Sequence, residues 1–128
     1  MTVSLFIWQS EVKDSELDAQ AIVNNAVYLT YLEHTRHKYF KTKGFDFIKF
    51  HEQGIDLVLT HSDIYYKNSL RSSDEFTVSL KIEKITATRL IIYQEIRKLS
   101  THKIILTAVN RPPSSEVQHS VESSYSYR

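Results

Sequence analysis

Cysteine is absent from this 128-residue chain, and glycine and proline occur only twice each. Without cysteine, no disulfide, thiolate nucleophile or cysteine-based zinc site can form. Typical chains contain about 7% glycine and 5% proline, so this composition predicts long regular elements with few tight turns. The chain length favours one domain, and the lack of cysteine is compatible with the cytosol.

The chain also lacks an excess of charge of one sign and any long apolar run. Its 16 basic and 15 acidic residues form no block of like charge, which argues against a nucleic-acid partner. No apolar run approaches the roughly 18 residues that cross a bilayer, and the first residues lack the basic start of a secretion signal. We therefore expect a soluble, cytoplasmic protein without a membrane span.

One long helix is predicted at residues 24–43, where the spacing of apolar residues becomes helical. Asn24 or Asn25 suits the N-cap, because an asparagine side chain can accept a hydrogen bond from a first-turn N–H group. Gly44 suits the left-handed position that ends many helices. The spacing places on one side of this helix Ala26, Leu29, Leu32 or Glu33, Arg36, Tyr39 and Phe40.

Strands are predicted on both sides of this helix. Residues 4–13 alternate, and further strands are predicted at residues 57–67, 75–86, 89–99 and 102–109. A short helical turn is predicted at residues 46–53. The connections between the last four strands are short, which favours antiparallel neighbours.

These elements predict an α+β domain in which a curled antiparallel sheet of about five strands wraps around one long central helix. Residues 1–110 would form this domain. Residues 111–128 contain both prolines and are expected to be a loosely ordered tail. Open sheet edges in a chain this small favour pairing with another copy, so we expect a homodimer or homotetramer.

The segment DSELDAQAIVNN, residues 14–25, places three acids just before the helix. They can be solvated loop acids, which the positive end of the helix dipole favours. A calcium loop fits poorly, because Ala19 stands where that loop requires glycine and Asn25 where it requires glutamate. A third interpretation is catalytic, since a helix N-terminus offers N–H groups to an oxyanion and an upstream carboxylate can reach the same carbonyl carbon. Spacing alone leaves the solvated and the catalytic interpretations open.

A wider stretch carries a family resemblance. Residues 12–40, VKDSELDAQAIVNNAVYLTYLEHTRHKYF, resemble the hotdog-fold acyl thioesterases of the 4-hydroxybenzoyl-CoA thioesterase type, and are especially similar to the branch that includes plant plastid acyl-ACP thioesterases. Residues 61–76, HSDIYYKNSLRSSDEF, match the family's second strand and following turn more loosely. The resemblance implies a hotdog fold and the hydrolysis of an acyl thioester to a free acid and a thiol.

The resemblance places the family's catalytic aspartate on Asp18. It places the family's oxyanion donor, a backbone amide in the first turn of the central helix, near Asn25. In the family the carboxylate either attacks the thioester carbonyl to form a mixed anhydride or activates a water molecule. The sequence does not choose between these two routes.

Four further residues are candidates for substrate binding: Asn24, Tyr28, Lys67 and Arg71. Asn24 is also a natural cap, and Tyr28 suits a core position as well as an acyl pocket. Lys67 and Arg71 match the turn where the family's basic residues meet the phosphates of CoA or phosphopantetheine. No metal or other cofactor is implied, because His34 and His37 lack a third ligand of recognised spacing.

Two positions depart from the family pattern. Ala21 stands where the family usually has glycine, so a positive φ there would strain the loop. The last strand is expected to end early, which would shorten the last sheet edge. The sequence therefore predicts an acyl-CoA or acyl-ACP thioesterase for a fatty acyl group, with a weak or inactive module that binds acyl chains or serves in assembly as the alternative.

Overall fold

The computed structural model describes residues 5–44, 61–84 and 90–112. In chain order these form strand β1 (Leu5–Glu11), a short 3-10 turn (Asp14–Glu16), helix α1 (Asn25–Thr42), and strands β2 (His61–Tyr66), β3 (Glu75–Lys84), β4 (Leu90–Lys98) and β5 (Ile104–Arg111). The predicted helix and all five predicted strands are present. The predicted turn at residues 46–53, the first residues predicted for β2 and residues 113–128 lie outside the described residues.

The five strands form one antiparallel sheet in the order β1-β3-β4-β5-β2. The pairs Val78–Ile96 and Ile96–Leu106 show how the register aligns apolar residues of neighbouring strands on the face that α1 covers. This face is buried because alternate strand residues are apolar. The curled sheet with one central helix confirms the predicted fold class.

Two predicted details of the sheet are wrong. β2 and β3 are consecutive but not neighbours, because β2 pairs with β5 while β3 lies between β1 and β4. The connection NSLRSSD is long enough for this, since extended residues span about 3.3 Å each and strands lie only about 4.8 Å apart. β5 runs to Arg111 and lies inside the sheet, so its end does not shorten an edge.

Helix α1 begins and ends at its predicted capping residues. Asn24 is the N-cap, and its side-chain oxygen accepts a hydrogen bond from the Ala26 N–H group at 2.9 Å. At the other end Gly44 has a φ of 82°, the left-handed conformation that was predicted for it. No helix within the described ranges is long and apolar enough to cross a membrane.

The buried side of α1 agrees with the predicted side only in part. Ala26 and Glu33 are exposed, and Leu29 is 44% exposed. The buried helix residues are Tyr28, Tyr31, Leu32, Thr35, Tyr39 and Phe40. Several of these carry hydroxyl groups that are hydrogen-bonded in the interior, as when Thr35 donates to the Tyr31 carbonyl at 2.8 Å. Leu32, Tyr39 and Phe40 belong to the predicted side, whereas Tyr28, Tyr31 and Thr35 lie outside it.

The buried residues form two clusters between α1 and the sheet. Under the first half of the helix, Tyr28, Tyr31 and Leu32 pack with strand residues that include Phe76, Val78 and Ile96. Under the second half, Tyr39 and Phe40 pack with Leu80, Ile82 and Ile92. The two halves of α1 therefore contact different parts of the sheet.

A buried polar pair also joins α1 to the sheet. The Gln94 side-chain amide donates to the Leu32 carbonyl at 3.0 Å, and the Asn110 amide donates to the Gln94 oxygen at 3.1 Å. Gln94 and Asn110 are both buried. Because buried polar groups require partners, this chain of hydrogen bonds fixes how the helix sits on β4 and β5.

Candidate active site

The acidic segment before α1 folds into a tight turn within residues 13–24, which we name the site loop. Leu17 and Val23 form an antiparallel bridge across this turn. Inside it, the Asp18 N–H group donates to the Ile22 carbonyl at 2.8 Å, and the Ala21 N–H group donates to the Asp18 carbonyl at 3.0 Å. Asp18 thus occupies the first position of a four-residue turn, a position that aspartate favours.

The Asp18 carboxylate takes part in this turn and is still exposed. Its Oδ1 atom accepts hydrogen bonds from the Gln20 N–H group at 2.8 Å and, at the longer distance of 3.4 Å, from the Ile22 N–H group. Its Oδ2 atom has no hydrogen-bond partner among the residues that the structure describes. One oxygen therefore orients the carboxylate, and the other is available to a substrate or a water molecule.

The site loop leads directly into the N-terminus of α1. The Asn24 N–H group donates to the Glu16 carbonyl at 3.0 Å, and the Val27 N–H group donates to the Asn24 carbonyl at 2.9 Å. Asn25 is the first helical residue, and within the described ranges its N–H group has no hydrogen-bond partner. A free N–H group at the positive end of a helix suits a developing oxyanion.

Ala21 has a left-handed backbone conformation, with a φ of 64°. The positive φ that would make alanine unfavourable at this position is therefore present. Such a conformation costs a residue with a Cβ atom about 1–2 kcal/mol. The site loop stores this strain one residue before the Ile22 carbonyl that holds Asp18.

Of the two predicted cations, Arg71 has its backbone beside the site loop. Arg71 forms an isolated backbone bridge with Ile22, and its N–H group donates to the Asp74 carboxylate at 2.8 Å. The Asp74 N–H group donates to the Arg71 carbonyl at 3.1 Å and so closes the turn of residues 71–74. Lys67 lies elsewhere, with its N–H group bonded to the Ile105 carbonyl of β5 at 2.8 Å.

Tyr28 lies beneath the site loop and is only 1% exposed. Its hydroxyl oxygen accepts a hydrogen bond from the Leu70 N–H group at 2.9 Å, and the Leu70 carbonyl accepts one from the Val23 N–H group. Burial raises the pKa of Tyr28, with smaller contributions from nearby acids that include Asp18. Tyr28 therefore supports the loop from below, and a direct contact of Tyr28 with substrate stays a prediction.

Glu16 and Tyr31 form a contact that the sequence did not predict. The Tyr31 hydroxyl donates to Glu16 Oε1 at 2.7 Å, and the same oxygen accepts the Lys13 N–H group at 2.9 Å. Burial, followed by the hydrogen bond and charge of Glu16, raises the pKa of Tyr31 well above its ordinary value. The tyrosine therefore keeps its proton and remains a donor.

An open pocket of about 490 Å³ lies between β1 and α1 beside this contact, with Trp8, Tyr31 and His34 among its lining residues. The His34 ring lies over Trp8 at a centroid distance of 4.5 Å. Partial burial, followed by the charges of Lys38, His37 and Lys13, lowers the pKa of His34. Within the described ranges, no three acid or histidine side chains are grouped as metal ligands would be.

A sheet of this strand order around one helix, with an acidic loop leading into the helix N-terminus, defines a hotdog fold. Residues 12–112 match the model of the Thioesterase-like superfamily. The chain therefore belongs to the Thioesterase-like superfamily. Among solved structures, the 1,4-dihydroxy-2-naphthoyl-CoA thioesterase from Synechocystis superposes with a TM-score of 0.77 over 84% of this chain and 79% of that one, at 18% identity.

Two curated relatives are closer in sequence. The acyl-acyl carrier protein thioesterase ATL3 of Arabidopsis thaliana, described as chloroplastic, is 34% identical over 77% of this chain and 52% of the relative. A putative esterase of Aquifex aeolicus is 35% identical over 63% of each chain. The chain thus spans about half the length of the plant relative and less than two thirds of the bacterial one.

Proposed function

We propose that this chain hydrolyses an acyl thioester of CoA or acyl carrier protein to a free acid and a thiol. The observation that supports this most strongly is the site loop itself. It holds the Asp18 carboxylate by one oxygen in a turn that leads directly to the Asn25 N–H group at the helix N-terminus. A thioester carbonyl needs both groups, a carboxylate for its carbon and a donor for its oxygen.

In one route Asp18 is the nucleophile. A carboxylate oxygen attacks the thioester carbonyl carbon, and the carbonyl oxygen becomes an oxyanion that accepts a hydrogen bond from the Asn25 N–H group. The C–S bond then breaks, and a mixed anhydride remains on Asp18. A water molecule hydrolyses this anhydride to the free acid and restores the carboxylate, and the proton it releases neutralises the thiolate.

In the other route Asp18 is a general base. The carboxylate takes a proton from a water molecule as the water oxygen attacks the thioester carbon, and the Asn25 N–H group again stabilises the oxyanion. Collapse of the intermediate breaks the C–S bond. The thiolate then takes the proton from Asp18. Both routes convert one thioester and one water molecule to one acid and one thiol.

The substrate class follows from the family and from the groups around the site loop. The plant relative is named an acyl-acyl carrier protein thioesterase, which supports an acyl thioester substrate for this chain. A fatty acyl group stays a prediction. The backbone of Arg71 lies next to the loop, which supports a role for this residue with the phosphates of CoA or phosphopantetheine. Substrate binding by Asn24, Tyr28 and Lys67, and a cytoplasmic location, stay predictions.

We propose that the protein acts as a homodimer or a homotetramer. β2 pairs with β5 on one side, and on its other side no strand pairs with it among the described residues. Tyr65 on this edge strand is 59% exposed, and such an edge can extend the sheet into a second copy. Light scattering after size exclusion would test the assembly, and a monomer at micromolar concentration would contradict it.

Free-thiol release is the direct test of the proposed reaction. The purified protein is given acyl-CoAs from short to long chains and a benzoyl ester, then the same acyl groups on acyl carrier protein, and the acid product is identified by mass spectrometry. We expect turnover that peaks at one chain length, with one thiol formed for each acid. A folded protein that turns over none of these esters would contradict the proposal.

The strained residue Ala21 favours one alternative. A hotdog module that binds acyl chains without turnover, or serves in assembly, would tolerate a loop in which alanine replaces glycine at a positive φ. In that case acyl esters would bind without release of thiol. Calorimetry and the thiol assay together distinguish the two functions. A module that binds acyl chains would show binding of acyl esters without turnover, whereas a thioesterase would show turnover.

A further inference from the structure

We propose that the hydrogen bond from Tyr31 to Glu16 is a positioning device that holds the site loop, and with it Asp18, against the N-terminus of α1. This inference rests on the proposed thioesterase function. Neither residue needs to touch the substrate. Their role is to fix the position of the Asp18 carboxylate relative to the Asn25 N–H group, which are the groups proposed to contact the substrate.

Glu16 joins three separate parts of the site. Its side-chain oxygen accepts hydrogen bonds from the Lys13 N–H group at the end of β1 and from the Tyr31 hydroxyl. Its backbone carbonyl accepts the N–H group of the N-cap residue Asn24. The start of the loop, the helix cap and the second turn of the helix therefore meet at one residue, two positions before Asp18.

Tyr31 is a rigid support for this contact. It is 4% exposed, and its ring lies 4.5 Å from the Phe76 ring and 6.2 Å from the Trp8 ring, measured between centroids. A buried tyrosine ring packed on β1 and β3 has little freedom, so its hydroxyl group is a fixed point. The contact with Tyr31 thus fixes the position of the site loop relative to the core, in addition to the hydrogen bonds within the loop.

A second tyrosine holds the opposite side of the loop. Tyr28 accepts the Leu70 N–H group, and the Leu70 carbonyl accepts the Val23 N–H group. One strand of the Leu17–Val23 bridge therefore follows the direct contact of Glu16 with Tyr31, and the other strand is linked to Tyr28 through Leu70. Removal of the Tyr31 hydroxyl would release the strand that carries Glu16 while Tyr28 still holds the other.

Positioning has a different kinetic signature from binding. If the Asp18 carboxylate shifts by about 1 Å relative to the oxyanion donor, the rate can fall by about 100-fold. Substrate affinity depends on the acyl and carrier contacts and should change little. The expected effect is therefore on kcat, with KM nearly constant.

The test compares Tyr31→Phe with a matched control, Tyr93→Phe. Tyr93 also donates to a glutamate, Glu83, at 2.8 Å, but it is an exposed residue of β4. For Tyr31→Phe we expect a fall in kcat of about 10- to 100-fold and a KM within about threefold of wild type. For Tyr93→Phe we expect wild-type values of both. Circular dichroism establishes that both variants are folded.

Rescue by a conservative variant separates positioning from general damage. Glu16→Gln keeps an oxygen that can accept both hydrogen bonds, so it should retain most of the activity, whereas Glu16→Ala should behave like Tyr31→Phe. Faster exchange of the Asn24 amide hydrogen in Tyr31→Phe and Glu16→Ala would report the released loop directly. Equal kcat for Tyr31→Phe and Tyr93→Phe, in an active wild type, would overturn the inference. An inactive wild type would instead overturn the proposed function.

Discussion

The two halves of α1 bury similar aromatic residues but use them differently. In the first half, the rings of Tyr28 and Tyr31 pack in the core, while their hydroxyl groups bond to Leu70 beside the site loop and to Glu16 within it. In the second half, Tyr39 and Phe40 pack edge to face at 5.2 Å over apolar strand residues. The first half of the helix thus contacts both the core and the candidate site, whereas the second half contacts the core.

The largest effect that would test this division is on stability. Leu80 is fully buried in the second cluster, so Leu80→Ala should lower the free energy of unfolding by about 2–5 kcal/mol. The kcat of the molecules that remain folded should change little, because this cluster does not contact the site loop. Urea unfolding and thiol release on the same sample check both statements. A loss of kcat as large as that of Tyr31→Phe would remove the distinction between the two halves.

A smaller effect is expected for Ala21→Gly in the site loop. Glycine relieves about 1–2 kcal/mol of left-handed strain but loses about 0.4–1 kcal/mol through the unfolded chain, so the net gain in stability lies between about 0 and 1.6 kcal/mol. The thioesterase proposal expects kcat to stay equal or rise in this variant. Thermal unfolding and thiol release measure the two quantities. A variant that is less stable than wild type would show that Ala21 is not strained.

The smallest expected effect is a pH dependence of the free energy of unfolding, caused by His34 of α1. Partial burial beside Trp8, together with Lys38, His37 and Lys13, lowers the pKa of His34 below its ordinary value of 6.5. Glu16 and Glu33 also line this pocket. The unfolded chain therefore takes up the His34 proton more readily, so this contribution to stability is present above about pH 6.5 and is lost as the pH falls through the lowered pKa.

Urea unfolding between about pH 7.5 and 5.5 would measure this loss, with fluorescence of the single tryptophan, Trp8, as the signal. In His34→Gln the slope of stability against pH should be shallower. A slope identical to that of wild type would assign the titration to another group.

Much of the fold could be predicted from local chemistry. The helix lies between a capping asparagine and a left-handed glycine, and the strands follow the alternation of apolar residues. The order of the strands could not be read in this way, because the connection from β2 to β3 is long enough either to form a hairpin or to pass two strands. The helical spacing correctly placed Leu32, Tyr39 and Phe40 on the buried side. It left out Tyr28, Tyr31 and Thr35, whose hydroxyl groups form hydrogen bonds in the interior.

Local chemistry predicted the Asn24 cap at the candidate site, whereas the family resemblance pointed to Asp18 and the Asn25 N–H group, whose roles stay predictions. Asp18, Asn24 and Asn25 are close in sequence, and a turn followed by a helix start brings them together. Arg71 forms a backbone bridge with Ile22 of the loop, and only the family resemblance had pointed to Arg71 as a candidate. The contact between Glu16 and Tyr31 joins residues 15 positions apart through the packing of the helix on the sheet, which no local pattern encodes.

The most direct test of the account compares Asp18→Asn with Asp14→Asn on the ester that wild type hydrolyses fastest. The asparagine side chain of the Asp18→Asn variant would keep an oxygen that accepts the Gln20 N–H group, so the turn should survive while the carboxylate is lost. Asp14 is an exposed acid of the same loop that accepts a hydrogen bond from the Ser72 hydroxyl at 2.8 Å. We expect thiol release to fall by about 10²- to 10⁴-fold in Asp18→Asn and to remain near wild type in Asp14→Asn. Wild-type turnover in a folded Asp18→Asn variant would contradict a catalytic role for Asp18.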